Sequence, residues 1–317
     1  MQVQAEIPKF SIVILNWNSF NFLPKCINSI LTQSYFPHEI IVIDNGSEDN
    51  SVEYIKTNFP DIKIIINSKN LGYSAGNNIG IRKSTGNWIV VLNADTEIDP
   101  DFLTNISGNI KTNEKVGSIS GKILRDREGT IDSTGIVLNK RRLSPYDRGE
   151  NEKDQGQFDK AEYIFGPSGA AAVYKRDALE DAAINEEYFD ESFFAYYEDV
   201  DLAWRLQWRG WKSWYCPDAK VYHFRQGPFV KNRKIFRRAF ANRYLIYVKN
   251  ECWRNFYKFI PFNIPYEIGR CIKLFLKEPY QIGAIGSFLE RLPGCLKKRK
   301  WIKANRKVKP EELKHFE

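Results

Sequence analysis

Four short apolar runs punctuate the first hundred residues at near-even spacing: 11–15 (SIVIL), Glu39–Asp44 (EIIVID), 62–66 and 88–92 (WIVVL). Rich in β-branched residues and lacking strict polar alternation, they suit strands buried on both faces. Each is followed by a stretch of helical character. These are Leu23–Leu31, Ser51–Asn58 with Asp49 or Asn50 as its cap, 75–83, and a helix opened by Pro100, where a missing N–H does no harm. Such alternation predicts an α/β fold with a doubly wound, mostly parallel sheet.

Beyond residue 112 the pattern is less regular and richer in glycine. Short strands are expected over 116–123, 131–138 and 169–174, a polar, mobile surface loop over 141–160, a helix over 193–208 and a strand over 214–224. Residues 235–300 mix amphipathic helical stretches with proline breaks at 261, 265, 279 and 293. Charge divides the chain as well. Residues 231–317 hold 22 Lys+Arg against 7 Asp+Glu, whereas residues 1–230 hold 25 against 32. No run of 18 apolar residues occurs, the mean hydropathy is −0.46, and the first residues lack the basic-then-apolar layout of a secretory leader, so the expected address is cytoplasmic. Five scattered cysteines without a CxxC pair read as buried thiols rather than a disulfide framework or a zinc site.

In an open parallel sheet, ligands bind beyond the carboxyl ends of the strands. A polar cluster stands at each of those ends: Asn16-Trp17-Asn18, Asp44-Asn45-Gly46-Ser47, Asn67 to Asn70 with Gly72, and Asn93-Ala94-Asp95. Any one of them is explained by turn chemistry. Four in succession, two with a carboxylate, point to a site. The first turn lacks GxGxxG and no GxxxxGK[ST] occurs, which argues against dinucleotide oxidoreductases and P-loop NTPases.

SIVILNWN, EIIVIDNGSEDNS, NLGYSAGNNIGI and WIVVLNADTEI, followed by FGPSGAAAVYKRDAL, FDESFFAYYEDVDLAWRLQWRGW and VYHF, resemble in order and spacing glycosyltransferase family 2, inverting enzymes of GT-A fold, over roughly residues 9–250. The segment FGPSGAAAVYKRDAL is similar to the acceptor side of the rhamnosyltransferase-like branch. The resemblance implies a nucleotide-sugar donor. Asp44 then accepts a hydrogen bond from the pyrimidine ring, and Asn16 and Asn18 line the base pocket. Asn70, Gly72 and the AGNN segment with Asn77 bring backbone close to the nucleotide. Asn93-Ala94-Asp95 takes the place of the family's DxD motif, with Asn93 on the ribose side and Asp95 as ligand to Mg²⁺ or Mn²⁺. His223 is implied as a further metal ligand, Asp199 as the base that takes the acceptor proton, and Glu198 as a neighbour that either orients it or touches the acceptor. Asp201 and Arg205 read as a structural (i, i+4) pair, and Trp204, Trp208, Trp211 and Trp214 as core more than sugar-stacking residues.

These implications make the chain a metal-dependent inverting transferase, most like one that moves L-rhamnose from dTDP-L-rhamnose to a sugar hydroxyl of a cell-surface polysaccharide or lipid-linked acceptor. The alternative donor is a UDP-hexose or another nucleotide-sugar. A non-catalytic nucleotide-sugar-binding module is a rival of another class. So is a nucleic-acid-binding protein, prompted by the basic tail, but the tail lacks an RRM, KH or HTH pattern and no nucleic acid is expected. Residues 1–230 are expected to form the catalytic domain, with a nucleotide half (1–111) and an acceptor half (112–230), and 231–317 a basic helical extension. The apolar stretches 256–264 and 282–289, together with Lys297-Lys298-Arg299-Lys300, place residues 255–305 on the anionic cytoplasmic face of a membrane without crossing it.

Overall fold

A computed structural model describes residues 7–110, 114–139, 144–225, 233–252, 257, 260–277 and 279–313. In chain order the elements are β1 (Phe10–Asn16), α1 (Leu23–Leu31), β2 (Glu39–Asp44), α2 (Ser51–Asn58), β3 (Lys63–Ile66), α3 (Gly72–Lys83), β4 (Trp88–Asn93), β5 (Thr96–Ile98) and α4 (Phe102–Gly108). There follow β6 (Val116–Leu124), β7 (Ile131–Ser133), β8 (Ile136–Asn139), β9 (Ser144–Asp147), β10 (Glu162–Ile164), β11 (Ala171–Lys175), α5 (Arg176–Ala182), α6 (Glu198–Trp208) and β12 (Lys212–His223). Among the described residues the α-helices α7 (Arg233–Asn250), α8 (Ile260–Lys277) and α9 (Gly283–Asn305) follow.

The main sheet runs β10-β12-β6-β11-β4-β1-β2-β3. Strands β1 to β4 pair in parallel, whereas β11 lies antiparallel between β4 and β6. Register places Asn16 opposite Asp44, and Leu15 opposite Asn93, so the polar strand ends fall on one edge. Alternate side chains serve opposite faces. Ile12, Ile14, Val42, Val90 and Leu92 pack under α1 and α4, and Val13, Ile41, Ile43, Ile89 and Val91 pack under α3, α5 and α6. Each such side chain contributes about 1.5–3 kcal/mol by leaving water, which is why these runs carry no polar alternation.

Several local expectations are corrected. The helix expected from 193 starts only at Glu198, because Phe194, Tyr196 and Tyr197 have φ of 66°, 70° and 72°. The strand expected over 131–138 is split into β7 and β8 by Gly135, at φ 118°. Within 141–160, residues 140–143 lie outside the described set, while β9 pairs with β8, and Asp154 and Asp159 both accept from the buried ammonium of Lys122. That segment is therefore anchored. The helix after β4 begins at Phe102, two residues past Pro100. Pro265 and Pro293 lie inside α8 and α9 rather than breaking them. Both sit on exposed faces, where a carbonyl deprived of its N–H partner is open to water.

The C-terminal helices share a core with the sheet domain. Phe193, Val200, Trp204 and Trp208 pack with Leu245, Ile246 and Tyr247 of α7 and with Cys295 and Ile302 of α9. Beneath them Lys249 donates to Asp190 (2.6 Å) and Asp201 (2.8 Å), Arg205 donates to Asp201 (2.8 Å), and Lys298 donates to Asp190 (2.7 Å). The boundary expected at residue 230 thus joins two segments that are packed as one body. Among the described residues no helix is long and apolar enough to cross a membrane.

Candidate active site

The carboxyl edge of the parallel strands is built by hydrogen bonds between strand ends. The Asn16 amide donates to Asp44 (2.8 Å) and to Ser51 (2.9 Å), and the Ser47 N–H and hydroxyl both donate to Asp44. Asp44 is 1% exposed, so its oxygens shape the turn in this conformation. A contact between Asp44 and a base requires one of these bonds to be exchanged. Asn18, at φ 50°, accepts from the Glu48 N–H at 2.8 Å and so ties the first turn to the second. Asn70 accepts from the Gly72 N–H at 2.8 Å and from Asn45 at 3.2 Å. Gly72 has φ 86°, and a Cβ there would meet the Phe194 ring and carbonyl at 2.5 Å. Its smallness admits Phe194 rather than a ligand. Asn77 is fully buried and donates to the Tyr73 carbonyl. The side-chain oxygens of Asn16 and Asn77 are buried without a hydrogen-bond partner.

Asn93 and Asp95 flank the turn from β4 to β5. The Asn93 carbonyl accepts from Thr96 at 2.7 Å, Ala94 is buried, and the Asp95 backbone carbonyl accepts from the Phe224 N–H at 3.1 Å. Antiparallel pairing of β5 with β12 sets His223 opposite Thr96. That register brings two residues far apart in sequence together: His223 Nε2 lies 3.4 Å from Asp95 Oδ1, while His223 Nδ1 lies 2.8 Å from Asp132 Oδ2. Burial disfavours the imidazolium, but the Asp132 and Asp95 carboxylates outweigh it and push His223 up to about 9. Asp132 is itself buried. Its desolvation is overcome by His223, Arg225 and Arg125, which hold its carboxyl below the usual range.

A hard cation that shares a substrate's phosphates needs only one or two protein ligands. Asp95 and His223 supply a carboxylate oxygen and an imidazole nitrogen side by side, the latter backed by Asp132 as metal-binding histidines commonly are. Among the described residues no group of three or more His, Cys, Asp or Glu forms a complete cage. The pair therefore fits a divalent ion whose remaining positions go to substrate and water.

Asp199 is the second residue of α6. Its Oδ2 accepts from the Gly169 N–H and its Oδ1 from the Val200 N–H, both at 2.8 Å. Burial raises its carboxyl above the ordinary range despite these bonds. Glu198 is raised further, by burial and then by the Asp199 charge, and its Oε2 is buried without a hydrogen-bond partner. The Gly169 carbonyl accepts from Tyr73 of α3 at 2.5 Å, so α3 braces the loop that holds the Asp199 carboxylate.

The segment leading into α6 is strained. Three aromatic residues at positive φ within four positions cost on the order of 1–3 kcal/mol each. Asn242 of α7 holds the segment, donating to the carbonyls of Phe193 (3.0 Å), Ala195 (2.9 Å) and Tyr196 (2.9 Å), and Arg291 of α9 donates to Asn242 and to the Ser192 carbonyl.

Sequence reasoning missed Asp132, Asp147, Arg225 and Asn242. Asp147 is pushed up to about 7 by burial and by the charges of Asp199 and Asp132, and Arg225 lies 3.6 Å from it. The three-residue strand β7, Ile131-Asp132-Ser133, carried no signal that singled out Asp132. Nothing local marked Asn242, whose partners are about 46–49 positions away.

Comparison with known proteins bears on the family and the fold. Over 239 residues the chain is 24% identical to the N-acetylglucosaminyl-diphospho-decaprenol L-rhamnosyltransferase of Mycobacterium tuberculosis, covering 67% of this chain and 75% of that protein. Over 221 residues it is 26% identical to the poly-beta-1,6-N-acetyl-D-glucosamine synthase of Staphylococcus epidermidis, covering 68% of this chain but only 49% of the relative, about half its length. Among solved structures, the mannosyltransferase PcManGT of Pyrobaculum calidifontis with GDP-Man and Mn²⁺ superposes with a TM-score of 0.54 at 15% identity, over 94% of this chain and 89% of that one. S. aureus TarS 1-349 with UDP gives 0.56 at 15% identity, over 94% and 87%. These likenesses establish the fold as that of GT-A glycosyltransferases. The family model for glycosyl transferase family 2 matches residues 11–182, more than half of the sequence, and the chain belongs to that family.

Proposed function

We propose that the protein is an inverting, metal-dependent glycosyltransferase that moves L-rhamnose from dTDP-L-rhamnose to a sugar hydroxyl of a lipid-linked or cell-surface glycan. The observation that carries this is the pairing of two unlike centres across the carboxyl edge of the sheet. Asp95 and His223 stand 3.4 Å apart at one; at the other, Asp199 is a half-buried carboxylate fixed by two backbone N–H groups. Asn16, Asn18, Asp44, Asn70, Gly72, Asn77, Asn93 and Ala94 form the donor side.

Asp199 takes the proton from the acceptor hydroxyl as that oxygen bonds to the anomeric carbon. The bond from this carbon to the diphosphate breaks in the same displacement, which inverts the configuration. Glu198, favoured in its protonated form, leaves a single negative charge at the base. Asp95 and His223 are the residues that would hold Mg²⁺ or Mn²⁺, which neutralises charge on the departing diphosphate. Asp132 fixes the tautomer and angle of His223.

The rhamnosyl donor rests on the mycobacterial relative. A second reading, a UDP-hexose or other nucleotide-sugar donor in the same site, is favoured by the staphylococcal poly-N-acetylglucosamine synthases. Thermal denaturation with a panel of nucleotide-sugars and Mn²⁺, followed by assay of released nucleoside diphosphate, decides between them. dTDP-L-rhamnose should raise Tm most and be slowly hydrolysed. Stabilisation by UDP-sugars alone transfers the assignment to the second reading, and no response to any of them removes the transferase assignment.

A further inference from the structure

Helix α8 is inside out. A surface helix ordinarily turns its apolar stripe to the core and its polar side to water. Among the described side chains of α8, the packed side carries polar groups. Asn263 is buried, Glu267 accepts from Arg243 and from Tyr244 of α7, both at 2.6 Å, and Arg270 donates to Glu267 at 3.0 Å and to Tyr244 at 2.5 Å. The opposite side carries Ile264, Ile268, Ile272 and Leu276, 54–80% exposed and spaced one turn apart. Ile282 is exposed between the two helices, and on α9 Ile285 and Leu289 are exposed on the stripe that Lys300 and Lys303 occupy further along.

An apolar row of this length is not left to water on an ordinary soluble domain. Its setting identifies what covers it. The acidic residue that α8 shows among its described side chains, Glu267, is turned inward, whereas Lys277 at its end and Lys297, Lys300 and Lys303 on α9 are exposed. Apolar residues beside exposed cations suit the boundary between acyl chains and anionic head groups. Helix α8 spans 18 residues and is not apolar enough to cross a bilayer. We propose that α8 is an in-plane membrane anchor: Ile264, Ile268, Ile272 and Leu276 enter the interface of an anionic bilayer, and the lysines of α9 meet its head groups.

The anchor is coupled to the acceptor side by chain geometry. Arg243 and Tyr244, which hold α8, directly follow Asn242, which holds the segment before Asp199. The docking itself does not depend on the transfer reaction.

The test uses the full chain in co-sedimentation with vesicles of phosphatidylcholine alone and of phosphatidylcholine with phosphatidylglycerol, and light scattering without lipid. The wild-type chain should partition onto the anionic vesicles at least about 10-fold better than onto the neutral ones. Ile264→Ser/Ile268→Ser/Ile272→Ser should lose binding to both. Lys300→Glu/Lys303→Glu, which leaves the apolar row intact, should lose the preference for anionic lipid. The anchor is overturned if the triple serine variant binds as the wild type does, or if the wild type binds neither vesicle. It is equally overturned if the wild type is a dimer that the triple variant converts to monomer without any lipid binding, an outcome that gives the face to a second copy of the chain.

Discussion

Asn242, on α7, donates its side-chain amide to the carbonyl of Tyr196 at 2.9 Å, two residues before Glu198. Through this bond and its companions to Phe193 and Ala195, the basic C-terminal segment holds the acidic centre of the catalytic half in place. Asn242→Ala should leave three carbonyls short of a donor and release the strained aromatic segment. Displacing a reacting group by about 1 Å can cost about 10²-fold in rate. We expect kcat to fall by at least about 10-fold, with the donor KM changed less than about 2-fold. A purely structural role would instead lower the active fraction while leaving the kcat of the folded enzyme unchanged, which active-site titration separates.

Asp199→Asn removes the proposed base while keeping its shape. Turnover should drop by roughly 10²-fold or more, and binding of the donor, measured calorimetrically with Mn²⁺, should be nearly unaffected because the base acts on the acceptor. Because burial raises the Asp199 carboxyl, the acidic limb of kcat/KM in the wild type should lie above the usual carboxylate range. Near-normal turnover in Asp199→Asn would shift the role to Glu198.

How much of this was legible beforehand can be traced residue by residue. The four parallel strands were readable because burial on both faces leaves continuous β-branched runs, and register follows from them. Asp95, Asp199 and His223 stood in motifs. Their companions did not. Asp132 acts only because β12 pairs with β5 and places His223 above β7. Asn242 acts only because α7 returns to the start of α6. Long-range pairing of that kind leaves no local periodicity. The backbone of 194–197 was misread for a related reason: aromatic residues score as helix or strand formers, and only tertiary hydrogen bonds force their φ positive.

The metal assignment predicts a graded series. Asp95→Ala should abolish Mn²⁺-dependent donor binding together with activity, and His223→Ala should weaken both less severely. Asp132→Asn, which keeps the packing but loses the carboxylate behind His223, should weaken Mn²⁺ affinity by about 10–100-fold. Titration of the donor complex with Mn²⁺ reads all three. Activity that survives EDTA would take the metal out of the mechanism.

The buried ion cluster under the acceptor side makes a separate prediction about stability. Asp190 and Asp201 are desolvated, which by itself opposes their charge, but Lys249 with Lys298 and Arg205 holds both carboxyls below the usual range. A carboxylate whose folded pKa is depressed stabilises the fold above its unfolded pKa of about 3.9 and loses that contribution as pH falls toward the folded value. Urea denaturation should therefore show stability dropping steeply below about pH 4. Lys249→Met keeps the length of the side chain and removes its charge, leaving two acids undercompensated in the interior. It should cost about 3–5 kcal/mol at pH 7 and flatten the acid dependence, since the freed carboxyls then titrate closer to their unfolded values. An unchanged slope between pH 3 and pH 7 would mean that Lys249 does not set the charge state of this cluster. Because Asp201 lies in the first turn of α6 beside Asp199, the variant should also lose activity before it unfolds, and activity and fluorescence followed through one urea titration will show whether the two transitions separate.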